Sequence, residues 1–207
     1  MTTTKKLTIA VVALALSLVL VVGGTLAFLV AESNIVTNTF TYGKIELELW
    51  ENPVENGVFK GDTKETQGLK YENVVPGDVV KKNPTVTVKE GSESCFVYVL
   101  VTNNLISTAE NATNPVATLH IKDNWVLIGS KDNSMLYRYT TNAQTAGDYN
   151  VFEQVTFSNN LTIEDVTALA KIESPIVVKA YAHQAENTTM VVADAAALAW
   201  AGIETTN

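Results

Sequence analysis

Apolar residues occupy every second position in most of the chain beyond residue 42. At its start, Ile45, Leu47 and Leu49 alternate with two glutamates and a tryptophan. Successive side chains of a strand point to opposite faces, so this pattern predicts a half-buried β-strand. Further strands are predicted by similar runs at residues 85–88, 125–128, 135–140, 151–157 and 176–184.

The segment from residue 95 to residue 101 is apolar on both faces. One face carries Cys95, Val97, Val99 and Val101, and the other carries Phe96, Tyr98 and Leu100. Such a strand is central and covered on both sides, or lies under something that docks on it. Cys95 is therefore predicted to be a packing residue, because a buried thiol behaves as a small hydrophobic group.

Three polar segments separate these strands. Pro76 and Gly77 stand at the second and third positions of a predicted type II turn. Residues 129–133 are predicted to form the loop of a hairpin between the strands at 125–128 and 135–140. Residues 51–72 are polar and contain glycine, which predicts a loop with little order.

Two short helices complete the pattern. Thr162 and Asp165 have the spacing of a capping box, which predicts a helix over residues 163–172. Asp194 is predicted to cap an alanine-rich helix over residues 195–201. Since short strands outnumber the helices, the chain is predicted to be all-β, an antiparallel β-sandwich with one or two accessory helices.

The N-terminus has the pattern of a secretory signal, with two lysines ahead of an uncharged run at residues 7–22. Thr25 and Ala27 are the small residues at −3 and −1, which predicts cleavage before Phe28. The alternative is an uncleaved anchor, since the uncharged run extends to about 25 residues and can span a bilayer. The predicted divisions are a signal peptide at 1–27, an extended segment at 28–42 and a sandwich domain at 43–207.

Charge and cysteine content narrow the class of protein. The chain has 14 basic and 22 acidic residues, a net charge of −8, and its only arginine is Arg138. Because no basic stripe is present, nucleic-acid binding is excluded. The single cysteine cannot form an intramolecular disulfide, a usage typical of exported proteins of Gram-positive bacteria.

No catalytic or cofactor motif is recognisable. The chain lacks His-Glu-x-x-His, Gly-x-Ser-x-Gly, phosphate-binding loops and paired cysteines. Its two histidines, His120 and His183, are weak candidates for a metal site completed by a carboxylate. No cofactor, catalytic residue or defined metal site is predicted.

The order of five motifs resembles the TasA/camelysin family of exported proteins processed by a SipW-type signal peptidase. The first two are "GGTLAF" and "NTFTYGKIEL", the latter containing Phe40 and Gly43. The others are "VVPGDVVKKNPTVTVKEG" with the strand after it, "WVLIGSKDNSMLYRY", and "IVVKAYAHQAE" followed by "AAALAW". The resemblance covers nearly the whole chain.

The resemblance implies a jelly-roll-like sandwich after a signal-peptide helix, and a secreted protein of the cell surface or biofilm matrix. The family includes fibre-forming matrix proteins and a surface protein classed as a metallopeptidase. A fibre of this kind is held by donor-strand exchange, in which the mature N-terminus of one subunit adds a strand to the next. The residues of this chain suited to that role are Phe28, Val30, Ile35, Val36 and Phe40.

Three functions stay open at this point. The leading interpretation is a self-assembling structural protein whose partners are itself, the SipW-type peptidase and other matrix proteins, with membrane contact only through the uncleaved signal. The second is a camelysin-like surface metallopeptidase, and the third is a non-enzymatic binding module. For residues 28–42, the alternative to assembly is pairing within their own domain or a frayed terminus.

Overall fold

The computed structural model describes residues 43–61, 63–69, 71, 74–105, 116–172 and 175–204. The predicted signal peptide, its cleavage site and the extended segment at 28–42 lie outside these residues. The strands of the described part are β1 (Leu47–Trp50), β2 (Val54–Glu55), β3 (Val58–Phe59), β4 (Val79–Lys81), β5 (Thr85–Val88), β6 (Cys95–Asn103), β7 (Ala117–Ile121), β8 (Trp125–Lys131), β9 (Ser134–Tyr139), β10 (Gly147–Asn150), β11 (Phe152–Phe157) and β12 (Ile176–Gln184). The helices are α1 (Ile163–Leu169) and α2 (Met190–Ala201).

The strands form two antiparallel layers. The front sheet has the order β12-β6-β9-β8. The back sheet consists of two three-stranded parts, β1-β5-β10 and β4-β11-β7. These parts are continuous, because Val151 N donates to Pro84 O at 2.8 Å and Lys82 N donates to Glu153 O at 3.1 Å between them.

The chain crosses repeatedly from one layer to the other. It passes from β5 in the back sheet to β6 in the front sheet, and then to β7 in the back sheet. The β8–β9 hairpin belongs to the front sheet, β10 and β11 to the back sheet, and β12 to the front sheet. The front sheet has four strands. The back sheet also has four if β4 and β5 are counted as one strand and β10 and β11 as another, and two sheets of four strands are the arrangement of a jelly roll. The predicted jelly-roll-like, all-β sandwich is confirmed.

Strand β6 lies in the middle of the front sheet and is covered on both faces, as its sequence predicts. Cys95, Val97, Val99 and Val101 are buried in the core between the sheets. On the outer face, Phe96, Tyr98 and Leu136 pack under the small residues of α2. The helix approaches closely at Gly129, where an added Cβ would lie 2.5 Å from Leu198.

The predicted turn at Pro76-Gly77 is confirmed, since Gly77 has φ +89 and Asp78 N donates to Val75 O at 3.1 Å. The capping box at Thr162 is also confirmed. The hairpin differs from its prediction, because β8 continues to Lys131 and only Asp132 and Asn133 form the turn. This turn is possible because Asp132 takes φ +53, a conformation that aspartate tolerates.

Two other predictions were wrong. Part of 51–72 is ordered: β2 and β3 form a hairpin, and Asn52 is buried with its side chain bonded to the Lys60 and Thr63 carbonyls. Hydrogen bonds of this kind leave no periodic pattern in a sequence. The second helix begins at Met190 with Thr189 as its N-cap, so Asp194 lies inside it. Neither helix of the described residues is long and apolar enough to span a membrane.

Candidate functional site

An open groove runs between the edge of the front sheet and the back sheet. Its volume is about 870 Å³. The front wall is the start of β12, the back wall is β4 and β11, and α1 closes one end. The apolar side chains of its lining include Leu49, Leu69, Val74, Val80, Leu105, Val155, Phe157, Leu161, Val166, Leu169, Ile172, Ile176 and Val178.

A buried ion pair lies beside the apolar lining. Lys82 Nζ contacts both carboxylate oxygens of Glu51, at 2.6 and 2.7 Å, and both side chains are about a tenth exposed. The neighbouring amides also pair, since Asn83 Nδ2 donates to Asn52 Oδ1 at 2.8 Å. Because both charges are paired, neither is buried without a counter-charge, and removal of one partner alone would destabilise this end of the groove.

Tyr71 closes part of the groove against β4. Its hydroxyl donates to Lys81 O at 2.8 Å. Burial, and secondarily the Glu51 carboxylate, raise the pKa of Tyr71 above its ordinary value. The phenol therefore remains protonated at neutral pH and continues to cap the edge of β4.

Strand β12 is the long edge strand of the front sheet, and its backbone pairs only with β6 among the described strands. It has nine residues and a regular register. The opposite edge strand, β8, has a register shift between Leu127 and Gly129. Such bulges discourage the pairing of edges with further strands. The β12 edge beside the groove is therefore the more favourable site for strand addition.

The described chain starts at the other end of β12. Glu93 N donates to Lys44 O at 2.9 Å, and an added Cβ on Gly43 would lie 2.5 Å from Glu93 Cγ. Glu93 is two residues before Cys95, which pairs with Gln184 at the C-terminal end of β12. The groove begins at the opposite end of this strand, at Ile176. From Ile176 to Gln184 is eight residue steps, or roughly 26 Å.

The two histidines lie on opposite outer faces of the sandwich. His120 is on β7, whose inward residues include Leu119 and Ile121, and its Nε2 is 2.9 Å from Thr156 Oγ1. His183 is on β12, whose inward residues include Ala182. Since the whole core separates them, the fold does not bring them together.

Cys95 is fully buried. Burial raises the pKa of its thiol to about 11. A protonated thiol without solvent access is neither a nucleophile nor a metal ligand, so its predicted packing role is confirmed.

The periodic pattern of the sequence does not predict the ion pair at the groove. Glu51-Asn52 and Lys82-Asn83 each place a charged residue before an asparagine, directly after β1 and β4, and this repeated pair is the signal that the sequence contains. The predicted cleavage residues Thr25, Ala27 and Phe28, and the assembly residues Val30, Ile35, Val36 and Phe40, lie outside the described residues.

A model of the camelysin metallo-endopeptidase family matches residues 2–200. This chain belongs to that family. The match spans nearly the whole sequence, so the resemblance inferred from the five motifs is confirmed. No curated protein and no solved structure matches the chain.

The description of the camelysin family implies a metal, and the described residues do not fit one. Catalytic zinc takes three protein ligands and a water. Among the residues that the structure describes, no three histidine, cysteine, aspartate or glutamate side chains come close enough to hold an ion. The groove is instead lined mainly by apolar side chains, with the Glu51–Lys82 ion pair and the polar residues Glu65, Thr66 and Gln67 beside them.

Proposed function

We propose that this protein is an extracellular structural subunit that self-assembles by β-strand addition. The residues inserted are 28–42 of one copy, and the acceptor is the groove beside β12 of the next. The observation that carries the proposal is the regular edge of β12, which no described strand other than β6 pairs with, bordering a mainly apolar groove. Family membership favours a surface or secreted protein over an intracellular one.

The chemistry of the inserted segment suits the groove. An added strand gains main-chain hydrogen bonds from the free edge, and its apolar side chains fill the pockets beneath. Residues 28–42 contain Phe28, Val30, Ile35, Val36 and Phe40, and no proline. The groove wall opposite β12 carries Val155 and Phe157, which would receive such side chains.

The positions of segment and groove favour insertion between copies. The segment joins the domain at Gly43, roughly 26 Å from the start of the groove at Ile176. To fill the groove of its own domain, the segment would have to run parallel to β12 and the chain would then have to reverse direction at Gly43 to enter β1. A segment from a second copy has no such constraint. A head-to-tail contact of this kind is heterologous, and it produces an open fibre when the rotation between successive copies does not close a ring.

Export would control this assembly. The segment stays tied to the membrane until a SipW-type signal peptidase cleaves before Phe28. Assembly would therefore begin outside the cell, where other matrix proteins are further partners.

Removal of the segment tests the proposal. The mature chain, residues 28–207, should form fibres visible by electron microscopy, and deletion of residues 28–36 should leave a folded monomer at every concentration. A synthetic peptide of residues 28–42 should then bind the deleted protein and raise its melting temperature. A control peptide with Ile35→Asp and Val36→Asp should not bind. Fibres that persist undiminished after the deletion would overturn strand insertion.

The family description favours a second candidate, a surface metallopeptidase. That function requires a metal bound in stoichiometric amount and proteolysis that a chelator abolishes. Elemental analysis of the purified mature protein, with a casein assay before and after chelation, separates the two functions. Metal-free protein that forms fibres supports the structural role, whereas chelator-sensitive turnover supports the peptidase.

A further inference from the structure

The three tryptophans of the chain differ in solvent exposure and in whether the indole N–H is hydrogen-bonded. Trp50 is buried and its Nε1 donates to Thr87 Oγ1 at 2.7 Å. Trp125 is buried and its Nε1 donates to Asn150 O at 2.8 Å. Trp200 is 39% exposed, and its indole N–H donates to no acceptor among the described residues. A large aromatic ring and a polar donor are thus both available at this one position.

Trp200 is held rigidly by the residue beneath it. Its ring stacks on Tyr181 of β12, with centroids 5.1 Å apart and an interplanar angle of 20°. Tyr181 in turn packs against the buried Tyr98, at 5.9 Å between centroids. Tyr98 is fixed by the hydrogen bond from its hydroxyl to Asp194, at 2.9 Å. One ring face of Trp200 is therefore covered by the protein, and its solvent-exposed part is preorganised.

Polar side chains flank Tyr181, the residue under the Trp200 ring, on the outer face of β12. Lys179 and His183 are two residues before and after Tyr181, so they lie about 7 Å from it along the strand. His183 Nδ1 is 2.9 Å from Gln184 O. Because a carbonyl only accepts, Nδ1 carries the hydrogen, and Nε2 of the neutral ring is left as an acceptor.

The helix surface next to Trp200 carries no charge. The single charged residue of α2, Asp194, pairs with Arg138 beneath the helix. The exposed residues of the helix are all apolar, namely Val191, Val192, Ala195, Ala199 and Trp200. A ligand here meets an apolar surface with one flat ring, a few donors and one acceptor, which does not suit a highly charged ligand.

We propose that Trp200, Lys179 and His183 form a binding platform for a β-linked hexopyranose chain. In gluco-configured chains of this kind the substituents are equatorial, so each ring has a flat face of C–H groups that stacks on an aromatic ring. The hydroxyls and any acetamido carbonyl of the sugar would bond to the indole N–H, the Lys179 amine and His183 Nε2. The carbohydrates of a cell wall and of an extracellular matrix share this chemistry.

The platform is separate from the assembly groove. Tyr181 packs under α2 on the outer face of β12, with Lys179 and His183 on the same face, whereas the groove is lined by the start of the strand, at Ile176, Val177 and Val178. Loss of sugar binding would therefore not contradict strand insertion, and loss of strand insertion would not contradict sugar binding.

Titration of the mature protein with cellotetraose and chitotetraose tests the platform. Either sugar should change tryptophan emission and protect it from acrylamide, since only Trp200 is accessible to the quencher. Trp200→Ala should weaken binding by about tenfold or more, because one stacking contact is lost. The matched control Val191→Ser, on the same helix, should bind as the parent does. Tighter binding of chitotetraose would indicate a cell-wall glycan, and tighter binding of cellotetraose a matrix polysaccharide.

A second pair of variants keeps the test valid if Trp200→Ala loosens α2. Lys179→Ala and His183→Ala remove polar groups without touching the stacked rings, and each should weaken binding several-fold, by about the free energy of one hydrogen bond. The proposal is wrong if neither sugar protects tryptophan in the parent, or if Trp200→Ala binds equally well. It is also wrong if Trp200→Ala alters only sedimentation, which would make this surface a contact between copies.

Discussion

Arg138, the only arginine of the chain, is buried and forms an ion pair with the partly exposed Asp194 of α2. Arg138 also donates through Nε to Thr140 O at 2.8 Å, and Asp194 accepts from Tyr98 on β6. One carboxylate thus joins the helix to two strands of the front sheet. The helix is apolar on all sides, so burial of apolar area alone would not specify its rotation.

Asp194→Ala should destabilise the protein by about 3–5 kcal/mol, because it leaves the Arg138 guanidinium buried without a counter-charge. Urea unfolding measures this loss. Arg138→Met combined with Asp194→Ala should be less harmful than Asp194→Ala alone, since no charge then remains buried. As a control, Lys122→Ala removes the exposed pair with Glu153 and should change little. Equal stability of Asp194→Ala and the parent would show that the pair contributes nothing.

Val97→Asp should destabilise the domain severely. Val97 is fully buried on the inner face of β6, and an unpaired carboxylate there costs several kcal/mol or is forced to protonate. Thr118→Asp, at an exposed position of β7, is the control. A melting temperature of Val97→Asp within a few degrees of the parent would contradict the core position of this strand.

Cys95 should react with a thiol reagent at pH 8 only as fast as the protein opens. Its pKa is raised to about 11 by burial, so the folded state retains the proton when the unfolded chain has lost it. The thiol therefore contributes stability that is present below the pKa of the unfolded thiol and declines as pH rises towards 11. Cys95→Ala should flatten this decline in urea titrations between pH 8 and 10. Rapid labelling of the native protein would contradict the burial.

His120→Ala with His183→Ala should leave fibre formation unchanged. The two side chains project from opposite faces, so no single metal ion is lost with them. A metallopeptidase would give the opposite result, with metal content and proteolysis lost together, because imidazole is the commonest zinc ligand and the chain has only these two. Elemental analysis and the casein assay distinguish these outcomes.

Ala27→Arg should block export processing and leave the chain in the membrane. A large charged residue at −1 does not fit a signal peptidase, which requires small side chains there. N-terminal sequencing of secreted parent protein should start at Phe28. A start at Glu32 or later would show that cleavage occurs elsewhere.

Sequence alone determined the features that depend on local periodicity and turn chemistry. The two apolar faces of β6 predicted a covered central strand, and Pro76-Gly77 predicted the turn, because these features arise from neighbouring residues. The order of motifs was sufficient to recognise the family. Local rules failed at Asp194, which has the sequence context of a helix cap but pairs with Arg138, a residue 56 positions away.

Only the tertiary structure decided the features that depend on distant residues. The Glu51–Lys82 pair, the free edge of β12 and the groove beside it all result from how the two sheets meet. The separation of His120 and His183 depends on which sheet each strand joins, and the stacking of Trp200 on Tyr181 depends on how α2 lies on the front sheet. A periodic pattern specifies which side of a strand is buried, but not which strand becomes its neighbour.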